Sequence, residues 1–157
     1  MPKIDIDAIP IKTGSAYPGV EAAKMAGRSQ QPLGDAAGIA QFGANMVTLI
    51  PAALSSSRHR HEHQDEFLVV AAGVCTLIDD HGETELRPGD CAGFAAGDAS
   101  GPHLVNKGVE GAKFVVVGTH TPAKVGHHSD VDMKVVVQNR RVAFMRRNGG
   151  PIEEIEG

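Results

Sequence analysis

From Gln41 onward the chain is a succession of short β-type runs, each closed by a turn signal, and that rhythm restricts the fold more than any other feature. "FGANMVTLIP" reads as the first strand and "SSSRHRH" as a polar one. "EFLVVAAG" and "VCTLID" follow, joined near Gly73. "DDHG" then turns the chain into "ETELR", "PGD" turns it into "CAGF", and "HLVN" and "KFVVVGTH" come next, split by "KGVEGA". "MKVVVQ", "NRR" and "VAFMRR" read as a terminal hairpin. Strands at this spacing argue a closed or sandwiched all-β fold. Residues 1–40 read as irregular, punctuated by "YPG" and "QPLGDAAG", with one short helix expected at "GVEAAKMAG" and ended by Gly27.

A chain of 157 residues is long enough for one domain with a real core. Aromatic residues are only 4% of it, so Val, Leu, Ile and Ala must build that core. The formal net charge of −4 lends no support to a nucleic-acid or anionic-membrane partner. "MPKIDIDAIP" has no apolar signal core, and no apolar run approaches the ~18 residues of a membrane span. Cys75 and Cys91 sit in apolar settings and are read as reduced, buried thiols of a cytoplasmic protein.

Chemistry concentrates in "RHRHEHQDEF", Arg58 to Phe67. On a strand, residues two apart share a face. His59 and His61 would then have Cα atoms ~6.6 Å apart, and two imidazoles so placed can converge on one ion. Glu66 has the wrong parity to join them on one continuous strand. It can do so from the next strand if "EHQD" is a turn, in which His63 stays solvated. The alternative is a polar, exposed strand end that binds nothing. Arg58 and Arg60 face away from the histidine side. His81, with Asp79 and Asp80, belongs to a turn. His120, His127 and His128 are placed in a surface loop after the last barrel strand, with "THTPAKVGHH" folding back over a barrel mouth as the alternative. Neither a phosphate-binding glycine loop nor a nucleophile elbow is present.

These residues resemble the cupin superfamily, in particular small single-domain microbial cupins similar to sugar-phosphate-isomerase-like members. The first cupin motif runs Gly, five residues, His-x-His, three or four residues, Glu, six residues, Gly. His59, His61, Glu66 and Gly73 fall on it, with Ala53 in place of the leading Gly. The second runs Gly, five residues, Pro-x-Gly, two residues, His, three residues, Asn. Gly89 and Gly97 fit it, and Asn106 does so after two extra residues in the loop following Gly97, while Ala95 stands at the Pro position and, counting back from Asn106, Pro102 at that of the His. The resemblance covers Phe42 to Thr119. It implies a double-stranded β-helix, the cupin jelly-roll barrel, with an irregular N-terminal segment and a C-terminal hairpin. Residues 1–40 would be an extension packing on the barrel or a partner, 41–120 the barrel core, and 121–157 a loop and hairpin completing the sheets. It also implies one divalent transition metal (Zn, Mn, Fe or Ni), held by His59, His61 and Glu66. His103, next to Pro102, is the candidate fourth ligand if a bulge turns it inward, because a one-residue shift otherwise sends a strand side chain to the opposite face.

Two kinds of function follow from the resemblance. One is a metal-dependent small-molecule enzyme, of the sugar phosphate isomerase type or, with the same ligands, an oxygenase or lyase. For the isomerase, no dedicated base is evident beyond Glu66, and nothing fixes Arg87, Lys107 or Lys113 near a cavity to take a phosphate. The other is a non-catalytic module holding a small ligand, with a degenerate metal site, which Pro102 favours. The partners implied are a sugar or sugar phosphate and a second copy of the chain in a homodimer.

Overall fold

The computed structural model describes residues 3–14, 25–55, 59–61, 64–120, 123–128, 134–138 and 141–146, with 59–61, 123–128, 134–138 and 141–143 described through their backbone. The expected helix over 19–27 lies outside these residues except for a turn at 25–27.

Thirteen strands are present among the described residues, and every pairing is antiparallel. They are β1 (Lys12–Thr13), β2 (Arg28–Pro32), β3 (Phe42–Leu49), β4 (His59–His61), β5 (Glu66–Ala72), β6 (Cys75–Asp79), β7 (Gly82–Leu86), β8 (Cys91–Phe94), β9 (His103–Val105), β10 (Ala112–Thr119), β11 (Ala123–His128), β12 (Lys134–Gln138) and β13 (Arg141–Met145). They form a six-stranded sheet β1-β2-β3-β10-β5-β8, a three-stranded sheet β7-β6-β9 and a four-stranded sheet β13-β12-β11-β4. This is the jelly-roll architecture, with a C-terminal hairpin made by β12 and β13. Within the irregular N-terminal segment, the polar "RSQQP" of β2 pairs with β3 from Arg28↔Leu49 to Pro32↔Asn45. A four-residue helix, α1 (Leu33–Ala36), then leads into β3.

Alternation along the strands builds the core. Val47 and Leu49 of β3, Leu68 and Val70 of β5, and Ala112 and Phe114 of β10 face Cys75, Leu86 and Leu104 of the three-stranded sheet. Burying each of the larger of these side chains contributes roughly 1.5–3 kcal/mol. Asn106 is the polar member among the largest fully buried side chains, at 0% exposure. Its Nδ2 donates to the carbonyls of Leu49 at 2.9 Å and Glu110 at 2.7 Å, and its Oδ1 accepts from Gly108 N at 2.9 Å. Gly73 closes the β5–β6 turn at φ +69°, where a Cβ would lie 2.4 Å from the Gly111 carbonyl oxygen, so only glycine fits.

The expectation that both thiols are buried holds for Cys75 alone. Cys91 is exposed, because β8 turns Ala92 and Phe94 toward the core and Cys91 to the other face. Burial raises the Cys75 thiol from 9.0 to about 11. Among the described residues, no helix is long and apolar enough to cross a membrane.

Candidate metal centre and barrel mouth

The inner face of the six-stranded sheet changes character along the strands. Its deepest rungs are apolar, as in Val47–Phe114–Val70. The next is Asn45–Val116–Leu68–Ala92, and the last is Gly43–Gly118–Glu66–Phe94. Paired residues share a face, and Glu66 has the parity of the buried Leu68 and Val70. Glu66 therefore stands on the inner face at the barrel mouth, half-buried, with glycine on its β10 side.

The turn that delivers Glu66 is pinned from two directions. Gln64 Nε2 donates to the Thr119 carbonyl. Asp65 N donates to Thr119 Oγ1 at 2.9 Å, and Thr119 N donates to the Asp65 carbonyl at 3.1 Å. Asp65 Oδ1 accepts from Ala96 N at 2.9 Å, tying in the loop after β8. In that loop Asp98 accepts from Ser100 N at 2.9 Å, and this hydrogen bond holds its carboxyl below the usual range.

His59 and His61 occupy alternate positions of β4, which pairs with β11 in the register His59↔His128, Arg60↔His127 and Gly126↔His61. The histidine pair and Glu66 thus come from consecutive strands in different sheets, joined by residues 62–65. Two imidazoles on one strand face plus a carboxylate at the mouth are a donor set suited to a divalent transition ion. Among the side chains described, no three His, Cys, Asp or Glu gather round one point. His103 opens β9 in unbroken register, with Ile78↔His103, Leu77↔Leu104 and Thr76↔Val105. Leu104 enters the core, so His103 takes the alternate parity. Pro102 is buried just ahead of it.

The histidines that follow the barrel strands differ from the expected surface loop. Residues 123–128, expected as a surface loop, form β11 and bring His127 and His128 beside β4. His120 extends the inner parity of Phe114, Val116 and Gly118 past the end of β10. Its ring lies over Gly43, where a Cβ would come within 3.1 Å of His120 Nε2. The backbone carbonyl of Ala40, 2.9 Å from Nδ1, can only accept, so Nδ1 carries a hydrogen, and in the neutral ring the lone pair is on Nε2. The remaining candidates are elsewhere. His81 lies in its turn, its N–H donating to Asp79 Oδ1. Exposed ion pairs join Arg87 to Glu85 at 2.9 Å and Lys107 to Glu83 at 2.6 Å.

A cupin-domain family model matches residues 45–118. Among solved structures, a sugar phosphate isomerase from a cupin superfamily, from Silicibacter pomeroyi, is 49% identical, with 97% of each chain covered and a TM-score of 0.95. A structure from Acidithiobacillus ferrooxidans, provisionally named a sugar phosphate isomerase, is 23% identical, with 82% of this chain and 81% of that one covered and a TM-score of 0.72. The polyketide cyclase RemF from Streptomyces resistomycificus is 20% identical, with 76% and 79% covered and a TM-score of 0.60. These last two likenesses concern the fold alone. No curated protein matches the chain.

Proposed function

Because the chain belongs to the cupin superfamily, we propose that it is a metal-dependent enzyme acting on a small phosphorylated sugar, with isomerase chemistry. The observation that carries this reading is the 49% identity, across 97% of both chains, to the Silicibacter sugar phosphate isomerase. His59, His61 and Glu66 would hold the ion; the family pattern puts its fourth ligand at Pro102, and His103 beside it would join them only through a bulge. When bound, the metal supplies Lewis-acid polarisation of a carbonyl and its neighbouring hydroxyl.

The chain's own residues supply the rest. Leu68, Val116 and Ala92 form an apolar floor beneath the mouth rung and Phe94 stands in that rung beside Glu66, which keeps water from the reacting carbons. His120 is the base that the sequence motifs lacked. Its Nε2 takes the proton from the carbon next to the carbonyl, leaving an enediolate, and returns it to the former carbonyl carbon. The hydroxyl proton passes from one oxygen to the other, so the exchange balances without an oxidant or reductant.

The outer face of the six-stranded sheet carries Phe67, Val69, Val115 and Val117 on neighbouring strands. Phe67 is 49% exposed. We assign this face to a homodimer contact, and the two free thiols suit a cytoplasmic setting.

The test is exchange of the C2 hydrogen of aldose phosphates in D2O, followed by NMR with Mn, Fe, Ni or Zn supplied. The reading expects metal-dependent exchange of at least one aldose phosphate, and His120→Gln should slow it by ~100-fold or more. If no member of a panel from three to six carbons exchanges, isomerase chemistry is refuted. Pro102 at the motif's histidine position favours the second reading, a non-catalytic ligand-binding cupin, over the metal-dependent enzymes, isomerase or oxygenase or lyase alike. Binding of a sugar phosphate without exchange would select the former.

A further inference from the structure

β3 contributes Gly43, Asn45, Val47 and Leu49 to the inner face of the six-stranded sheet, and Asn45 is the odd member. Its facing is fixed from the other side as well. Gly34 of α1 lies against the outer face of β3 at Ala44, where a Cβ on the glycine would come 3.7 Å from that of Ala44. Asn45 sits in the rung Asn45–Val116–Leu68–Ala92, directly below the mouth rung that holds Glu66. Its neighbours in the sheet are Pro32 on β2, Val116 on β10, and Gly43 and Val47 along β3. None of them carries a polar side chain. Among these neighbours the carboxamide therefore finds no side-chain partner, and its two N–H donors and its oxygen open to the barrel interior, where Asn45 is half-buried. Asparagine is depleted in strands, and a polar group on an apolar floor costs stability unless something hydrogen-bonds it. Valine or leucine would suit the fold better at this position, so the carboxamide points to a use outside folding.

The position of His120 indicates what that use is. Its ring lies over Gly43, with Nε2 3.1 Å from where a Cβ would be. Gly43 and Asn45 share a face and are ~6.6 Å apart along the strand. With a hydrogen bond of ~2.8 Å at the Asn45 end, the gap fits a short carbon chain whose reacting carbon meets Nε2 and whose remainder runs down into the barrel. The group that reaches Asn45 then belongs to a carbon beyond the reacting pair. A neutral carboxamide both donates and accepts, which matches a hydroxyl. We propose that Asn45 is a specificity-determining residue, whose carboxamide binds a hydroxyl on the third or a later carbon of an open-chain aldose phosphate. The inference rests on the isomerase reading above and narrows its substrate class. A three-carbon aldose phosphate carries its phosphate on the third carbon and has no free hydroxyl there. Terminally phosphorylated aldoses of four or more carbons do.

The test follows terminally phosphorylated aldoses of three to six carbons on the whole chain, as wild type, Asn45→Leu and Asn45→Ala. Binding is read by isothermal titration calorimetry and C2-hydrogen exchange by NMR in D2O, with the same metals supplied. Wild type should bind at least one aldose phosphate of four or more carbons ~10-fold or more tighter than the three-carbon one, because a site built to bond a hydroxyl rejects the compound lacking it. Asn45→Leu sets an apolar group against that hydroxyl and should weaken binding of the longer substrate ~10–100-fold. Binding of the three-carbon substrate should stay within ~2-fold of wild type, so the preference collapses. The leucine variant should also unfold at the wild-type urea midpoint or above it, which replacement of a merely structural asparagine would not do. If Asn45→Leu does not fold, the ratio of the two affinities in Asn45→Ala decides. The role of Asn45 is overturned if the variants keep the wild-type preference, if wild type shows no preference, or if binding of both substrates weakens equally. Binding with the expected preference but without exchange refutes the isomerase chemistry and leaves the role of Asn45 standing, and exchange without the preference does the reverse. If wild type binds no member of the panel, both fail together.

Discussion

Replacing Asn106 by alanine should cost about 3 kcal/mol of stability, although the residue touches no substrate. Its side chain is fully buried and makes three hydrogen bonds, to Leu49, Glu110 and Gly108, at 2.7–2.9 Å. Each contributes ~1 kcal/mol net, and a stranded buried partner adds its own desolvation penalty. The Glu110 and Gly108 groups lie in an exposed loop and can turn to water, so the penalty falls mainly on the Leu49 carbonyl. Asn106 also joins the backbone of the loop after β3, with Ala52 N donating to its carbonyl at 2.7 Å and its N–H donating to Ala53 at 3.0 Å. The alanine variant keeps these two bonds and should still fold. Urea unfolding followed by circular dichroism, at one protein concentration, would read the loss as a midpoint ~1–3 M lower. Asn106→Asp sharpens the test. It keeps the acceptor for Gly108 N but sets a carboxylate against two carbonyls, which raises its folded-state pKa. Stability of this variant is then greatest below the unfolded carboxyl value of ~3.9 and falls as pH rises through the higher folded value. The alanine variant lacks that pH dependence. A loss below ~1 kcal/mol in Asn106→Ala, or an aspartate variant no worse than alanine at neutral pH, would refute the reasoning.

Three further outcomes follow from the same geometry. Gly43→Ala places a Cβ 3.1 Å from His120 Nε2 and should displace the ring by a few tenths of an ångström, cutting C2-hydrogen exchange ~10-fold or more while metal content stays at the wild-type level. Because the Cys75 thiol is raised to about 11, its contribution to stability is complete below pH 9 and is lost as pH climbs toward 11. Cys75→Ala should remove that alkaline loss in thermal melts from pH 8 to 11. Phe67→Glu, at the proposed contact face, should convert a dimer into a monomer of 16.4 kDa by light scattering, and wild type running as a monomer at micromolar concentration would dismiss the contact.

The local parts of this architecture could be read from the chain. "CAGF" and "EFLVVAAG" alternate or run apolar between turn residues, and they are β8 and β5. The spacing of His59, His61, Glu66 and Gly73, with Gly89, Gly97 and Asn106 of the second motif, carries the cupin resemblance. What escaped depends on pairings distant in sequence. "RSQQP" has no strand propensity of its own, and β3 recruits it through backbone hydrogen bonds. His120 reaches the mouth only because β10 continues its parity beyond Gly118 and Gly43 leaves room for the ring. Cys91 has apolar neighbours in sequence, and only the facing of β8 puts it outside. The pairing of β11 with β4 joins segments more than sixty residues apart, which no local spacing encodes.

Anomalous diffraction from crystals grown with Mn2+ or Zn2+ tests the metal-centred account most directly. The account predicts one strong peak at ~2.0–2.2 Å from imidazole nitrogens of His59 and His61 and a carboxylate oxygen of Glu66. A peak bound by other residues, or none at full ion concentration, would contradict it.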